Sequence, residues 1–503
     1  MPQIIPMKRT VFFLLATVML CAFVEAEEAA PAASELDTRL KGVAAVLEGV
    51  NSTEVSVSDT VSPGDGAEAR VLDAKDCVSL TLRNHPRALI TDEKVNERRA
   101  QAGVARSAAL PQVKAGAAWN HVTGLETDVY GGEIAQRLLN FGDIQPEKST
   151  YTATLGVEQV LYAGGQIRAA VAAAAHLEKS EEWKRRVELM ALAHEARSAY
   201  WDALAARGMV DVARDSIAAF GRHLADARTK MDQGMASKFE VLRAETELRA
   251  RESDLEAALA AEQLAMLRMR YLLALPGDEP FRLAGGMGWT PLDTPVDDLI
   301  AEALKQRPEM AALDEAAAAA GKNIEVKSGQ RLPRAAAQAQ YNQTAGGGQL
   351  MPDGWTFTLG AELPIYAGGR IRAEEAEARA QARTLELERT NLARLVELDV
   401  RQAHTRAVEA VARIRKEEAA RVLGEEGRSL AELRFQQGAG IQADTLDAEL
   451  ALTLAQTSLV QALRDYAVAI ASLDKALGRI PPGAEELLAG GCRAGECPAE
   501  KKN

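Results

Sequence analysis

The stretch Tyr162-Ala163-Gly164-Gly165-Gln166-Ile167-Arg168-Ala169 returns 204 residues later as Tyr366-Ala367-Gly368-Gly369-Arg370-Ile371-Arg372-Ala373. In both copies an alternating, strand-like run stops at the glycine pair and a long Ala/Glu/Arg/Leu-rich helical run begins. Self-similarity at a fixed offset is the mark of a duplicated structural unit. Each copy reads as helix–strand–strand–helix–helix, with this junction at its centre.

Upstream of the junction, the punctuation is also duplicated. Asn84-His85-Pro86 and Leu110-Pro111 match Gln306-Arg307-Pro308 and Leu332-Pro333, with the prolines 25 residues apart in both copies. A helix opens near Asp73 with acidic residues suited to an N-terminus, and the pattern carries it through Pro86 to about Ala109. After each Leu-Pro the period changes to two. Val113, Ala115, Ala117 and Trp119 alternate with Gln112, Lys114, Gly116 and Asn120; Ala335, Ala337, Ala339 and Tyr341 alternate with Arg334, Ala336, Gln338 and Gln340. The returning strands set Tyr151, Ala153, Leu155 and Val157 against Thr152, Thr154, Gly156 and Glu158. Their counterparts are Trp355, Phe357, Leu359 and Ala361 against Thr356, Thr358, Gly360 and Glu362. About ten residues, apolar on one face and polar on the other, suit a transmembrane barrel strand; a half-buried strand of a soluble sheet has the same pattern. The aromatics near the far ends favour the membrane. Expected strands are about 111–122, 150–162, 333–342 and 354–366, and the first hairpin carries 18 extra residues around His121 to Lys148.

Downstream, Gly165 to Gly234 and Gly369 to Gly438 are both 69 residues. These distances predict long helices at about 164–230 and 368–434, each ~100 Å long and each turning at a glycine into a returning helix. Leu459, Leu463, Tyr466, Ile470, Leu473 and Leu477 step by 4, 3, 4, 3, 4, a coiled-coil seam. The repeats thus span 72–277 and 296–480, joined by a Pro/Gly/Asp linker at 278–295 and followed by a tail at 481–503.

Lys8 and Arg9 before the apolar run Val11 to Val24, closed by Val24-Glu25-Ala26, read as a secretory signal over 1–26. Cys21 opens lipidation as an alternative, but Leu20 stands where a small residue should precede a lipidated cysteine. Residues 27–71 read as a mostly irregular leader, and Cys492 with Cys497 as a local pair for which export makes a disulfide permissible. No other stretch is long and apolar enough for a spanning helix, so a membrane crossing must use strands. A net charge of −13 argues against a nucleic-acid partner. Four strands cannot close a barrel, and open edges are not tolerated in lipid. Several chains must share one barrel: two would give eight strands with a filled interior, three give twelve with a lumen. The fold class is therefore mainly α with membrane β-strands, a homotrimer forming one 12-stranded β-barrel that continues as a coiled-coil tunnel.

In this order and twice over, these features resemble the TolC-type outer-membrane efflux proteins across residues 72 to 480. The motifs are the Asn84-His85-Pro86 helix, the two Leu-Pro strand starts, the doubled Tyr-Ala-Gly-Gly and the tips Met231-Asp232-Gln233-Gly234 and Arg434-Phe435-Gln436-Gln437-Gly438. The resemblance implies an outer-membrane homotrimer with its helical tunnel in the periplasm. It also implies a passive exit duct of a tripartite efflux or type I secretion system, served by a periplasmic adaptor (membrane fusion) protein and an inner-membrane pump of RND or ABC type. No cofactor and no enzymatic chemistry are implied. The competing class is an exported trimeric coiled coil, structural or adhesive, without a conducting channel.

Candidate site residues follow. Gly164, Gly165, Gly368 and Gly369 supply backbone freedom and close packing where strand becomes helix. A phosphate-binding loop is the other reading of strand–Gly-Gly–helix, but the third glycine of the dinucleotide fingerprint is missing. Gly234 and Gly438 make the tip turns. Asp444 and Asp447, spaced i, i+3, share a face at the start of the last helix. The resemblance matches them to the acids that ring the tunnel mouth, where a trimer would gather six carboxylates as a selectivity site; solvated helix-start acids are the plain alternative. Glu240 is the weaker counterpart of Asp444, and Arg243 stands where the second acid would be. Glu158 and Glu362 are the acids of the lumen-facing strand surface. Some family members latch the closed mouth with an Arg and a Tyr at positions held here by Gly440 and Phe435, so any latch must be built otherwise. The six histidines show no zinc-ligand spacing, and Met231, Met235, Met266 and Met269 read as packing residues.

Overall fold

The computed structural model describes residues 70–121, 149–275, 279–292, 294–345, 354–485 and 488, all within one unit, Glu68–Asn503. The expected signal sequence at 1–26, the expected leader up to residue 69, residues 122–148 of the first hairpin and Cys492 with Cys497 lie outside the described residues. The elements run β1 (Arg70–Leu72), α1 (Ala74–Asn84), α2 (Pro86–Ser107), β2 (Gln112–His121), β3 (Ser149–Ala163), α3 (Gln166–Asp232), α4 (Lys238–Leu273), β4 (Phe281–Leu283). The second repeat adds α5 (Val296–Gln306), α6 (Pro308–Gly329), β5 (Arg334–Ala345), β6 (Gly354–Glu362), α7 (Arg370–Gln436) and α8 (Gln442–Leu477). Both long helices contain 67 residues and both returning helices 36.

Two sequence expectations are corrected. The helix does not run through Pro86: α1 ends at Asn84, and α2 restarts with Pro86 in its first turn. Proline lacks the N–H a continuing helix needs and pushes the preceding residue to extended backbone. His85 accordingly has ψ 131°, and Arg307 before Pro308 has ψ 122°. Secondly, the fourth strand stops at Glu362 rather than 366, just before Pro364, while the third extends to Ala345 instead of 342. The end of the mostly irregular leader and the linker also form one short pairing. Arg70–Leu72 pairs in parallel with Phe281–Leu283, and Leu72, Phe281 and Leu283 are buried. Runs of three residues carry too little periodicity to be read as strands.

The four longer strands form one antiparallel sheet in the order β2-β3-β5-β6. Its registers show the duplication directly. Gln112 pairs with Glu158 in the first hairpin, and their counterparts Arg334 and Glu362 pair in the second. The helices pack around two related cores. One gathers Leu72, Val78, Leu82, Leu192, Met269 and Leu273, with Met266 packed against it; the other gathers Leu299, Val396, Val400, Leu473 and Leu477. Further along the hairpins the seam holds Ile414 against Ala462 and Tyr466, and near the first tip Leu224 and Val241 with Met231.

Candidate functional site

The sheet sorts its residues by face. Cross-strand partners lie on the same side of a sheet, so the registers define both surfaces. One carries Val113, Ala115, Ala117 and Trp119, then Tyr151 through Val157, then Ala337, Ala339 and Tyr341, then Trp355 through Ala361 at alternate positions. Its large side chains are outside the core: Trp355 is 57%, Phe357 77% and Leu359 76% exposed. An apolar surface of this extent needs a non-aqueous neighbour. Trp119 faces Tyr151 and Tyr341 faces Trp355, the latter rings 5.4 Å apart, so the aromatics form a band at the end remote from the helices.

The opposite surface is polar across all four strands. Gln338 donates to Gln340, which donates to Asn342 (3.2 and 2.7 Å), forming a track along β5. Glu158 and Glu362 both belong to this face, near its helix end. Lys114 Nζ lies 3.4 Å from Glu158, and Arg334 stands opposite Glu362 in register. The acids therefore sit beside bases, a pairing not visible before the register was known.

At the junctions, the glycine pairs occupy the left-handed region in series. Gly164 and Gly165 have φ of 57° and 80°; Gly368 and Gly369 have 60° and 84°. Side-chain-bearing residues adopt this conformation at a cost of ~1–2 kcal/mol each. Close packing is confined to Gly164, where a Cβ would lie 2.4 Å from the Gly329 carbonyl oxygen and 2.7 Å from Leu332 Cβ. Nothing in the chain lies within 4 Å of a Cβ placed on Gly165, Gly368 or Gly369. Within one chain, then, the close packing expected at all four is found at Gly164. Beside the second junction, Glu374 accepts from Arg370, Lys327 and Gln330, which hold its carboxyl down at about 2.

At the other end, Gly234 and Gly438 both have φ 72° and close equivalent turns. Met235 N–H donates to the Lys230 carbonyl (2.8 Å) and Ala439 N–H to the Arg434 carbonyl (2.9 Å). Glu240 caps α4: its carboxylate accepts from Ser237 N–H at 2.8 Å, and its own N–H donates to Ser237 Oγ. Asp444, in the first turn of α8, and Asp447 are both exposed. Asp447 is approached by Arg243 across 3.5 Å in an exposed pair, so the residue replacing the second acid of the first repeat contacts that acid in the second. Lys230 Nζ sits 3.2 Å from the centre of the Phe435 ring. Phe435 and Asp447 belong to the second hairpin, Lys230 and Arg243 to the first. These two contacts join the tips.

A paired-repeat scaffold that ends in a sheet with one lipid-compatible face and one polar face defines a membrane channel class of protein. The family model described as outer membrane efflux protein matches residues 78–274 and 299–479, and the chain belongs to this family. Among similar curated proteins is the outer membrane efflux protein BepC of Brucella suis, 28% identical over 341 residues, covering 65% of this chain and 73% of BepC. The alkaline protease secretion protein AprF of Pseudomonas aeruginosa is 24% identical over 466 residues, covering 87% and 90%. Among solved structures, the Campylobacter jejuni outer membrane channel CmeC superposes with a TM-score of 0.69 at 15% identity, over 82% of this chain and 86% of that one. VceC of Vibrio cholerae gives 0.66 at 18%, over 81% and 96%. The protein resides in the outer membrane, with its helical hairpins in the periplasm.

Proposed function

We propose that three copies of this chain form one twelve-stranded barrel continued by a periplasmic helical tunnel, acting as the passive exit duct for a separate pump. Cargo would be delivered by an inner-membrane transporter of RND or ABC type through a periplasmic adaptor. AprF, by its name, serves protease secretion and BepC efflux; both cargo classes fit a duct that does no chemistry. The observation that carries the reading is the two-faced, four-stranded sheet: among the described residues, β2 and β6 are paired on one side only. Unpaired N–H and C=O groups are untenable in lipid, so β6 must meet β2 of another copy. Three copies leave a lumen for the polar face; two would fill it with side chains.

The duplication fixes the expected register. Inside the chain β3 pairs with β5 as Leu155↔Tyr341 and Val157↔Ala339. Carrying the same relation onto the second repeat places Leu359 of one copy opposite Trp119 of the next, and Ala361 opposite Ala117. The variant Ala117→Cys/Ala361→Cys should give a covalent trimer on oxidation. The out-of-register Ala117→Cys/Phe357→Cys should not. Equal cross-linking of both pairs, or dimers as the end product, would reject the closure. Reconstituted into planar bilayers, the purified protein should conduct ions; a stable trimer that never conducts would favour the structural coiled-coil reading.

At the mouth, Lys230–Phe435 and Arg243–Asp447 are proposed as the latch holding the hairpin tips closed. Asp444 and Asp447 of three copies are proposed as the cation-attracting ring.

A further inference from the structure

We infer that the helical hairpins carry a divalent transition-metal site formed by His223, Glu432 and Glu449. The three residues come from three helices, α3, α7 and α8, and their nitrogen and oxygen ligand atoms all lie within 4.8 Å of one another. His223 and Glu449 are buried, at 9% and 4% exposure, while Glu432 stands at the half-buried rim.

A cluster of acids often needs no ion, but here one enclosed carboxylate oxygen stands without a donor. Glu449 Oε2 is fully enclosed and has no hydrogen-bond partner. It faces His223 Nε2 across 3.9 Å, too far for a hydrogen bond. Arg428, also on α7, approaches the other oxygen, Oε1, at 3.9 Å, so the basic neighbour leaves Oε2 free. An enclosed carboxylate oxygen without a donor is costly, and a cation at that point would satisfy it. The Phe220 ring packs edge-on to the imidazole at 6.2 Å and restrains it.

The donor chemistry selects the metal. One imidazole and two carboxylates, with a further position open to water, form the tripod that suits Zn²⁺; calcium and magnesium prefer all-oxygen shells. Ligands bound at ~2.0–2.2 Å require the three groups to draw in modestly from their present spacing. The site bridges the two repeats: His223 lies on the first long helix, and both glutamates lie on the second hairpin. Zn²⁺ there staples one hairpin to the other near the tips, independently of whether the assembled protein conducts.

The test uses tag-free, detergent-purified protein in the Asp444→Asn/Asp447→Asn background, so that the tip acids contribute nothing. Competition of ZnCl₂ against a chromophoric chelator should show one Zn²⁺ per chain. His223→Gln and Glu449→Gln should each weaken that binding at least ~100-fold, the upper range for losing even an outer-shell partner. Co²⁺ in place of Zn²⁺ should give visible ligand-field bands that vanish in the same variants. Should a buried variant fail to fold, Glu432→Gln at the rim carries the comparison. Absence of stoichiometric Zn²⁺, or binding unchanged by Glu432→Gln and either buried substitution, overturns the site.

Discussion

Adding a single methyl group at the first strand-to-helix junction should separate the two physical reasons for its glycines. Gly164→Ala forces a side-chain-bearing residue to φ 57° and drives its Cβ to 2.4 Å from the Gly329 carbonyl oxygen and 2.7 Å from Leu332 Cβ. The left-handed backbone costs ~1–2 kcal/mol, and overpacking a contact that cannot yield adds ~1–3 kcal/mol, giving ~2–5 kcal/mol. Gly165→Ala incurs only the first cost, because no atom lies within 4 Å of the new Cβ. Gly329→Ala, at the C-terminus of α6, meets the Gly164 carbonyl oxygen at 2.7 Å but recovers up to ~1 kcal/mol of helix propensity. The expected order of damage is therefore Gly164→Ala above both others. The double variant Gly164→Ala/Gly329→Ala should be non-additive, because both substitutions crowd one contact. Thermal melts and folded yield of the detergent-solubilised protein, measured for all four variants side by side, provide the test. If Gly165→Ala proves as harmful as Gly164→Ala, the packing argument fails and only backbone strain remains.

Other outcomes follow from individual contacts. Arg243→Ala with Phe435→Ala removes an exposed ion pair and a cation–π contact worth together ~1–2 kcal/mol. On the latch reading, single-channel recordings should show the open state favoured ~5- to 30-fold; unaltered gating would remove these contacts from the latch. Asp444→Asn with Asp447→Asn should weaken block of the current by multivalent cations, and unchanged block would end the ring assignment. Ile414→Ala, deep in the second seam, should destabilise by ~2–5 kcal/mol in a denaturation midpoint, with a shift under 1 kcal/mol showing that the seam bears little stability. Burial, then Lys475 and Arg197, hold His194 below its ordinary value. The unfolded chain takes up that proton at about 6.5, the native chain only at lower pH. Stability from this group is thus complete above that range and declines as pH falls through it. His194→Gln should flatten the acid side of a melting-temperature profile, and an unchanged slope would assign the decline elsewhere.

The repeat, both hairpin lengths and the two-faced strands were legible because each leaves a one-dimensional trace. Equal spacings record equal helices, and period two records a sheet with unlike sides. What escaped depends on register or on side chains meeting across elements. Pro86 looked tolerable inside a helical pattern, yet its missing N–H divides α1 from α2. Glu158 reads as an acid of the lumen-facing surface, and only the register shows that Lys114 stands beside it. Arg243 read as the loss of a second acid, whereas the fold turns it onto Asp447, its own counterpart in the other repeat. His223 lies more than 200 residues from Glu432 and Glu449, so no ligand spacing could announce them. The same reasoning bears on assembly. A duplicated sequence predicts its own internal interface, and the internal interface here, β3 on β5, is observed. Its counterpart, β6 on β2, cannot form within one chain because the strands lie at opposite edges. The repeat that organises the monomer is therefore also the strongest physical argument for the proposed partner, another copy of the same chain.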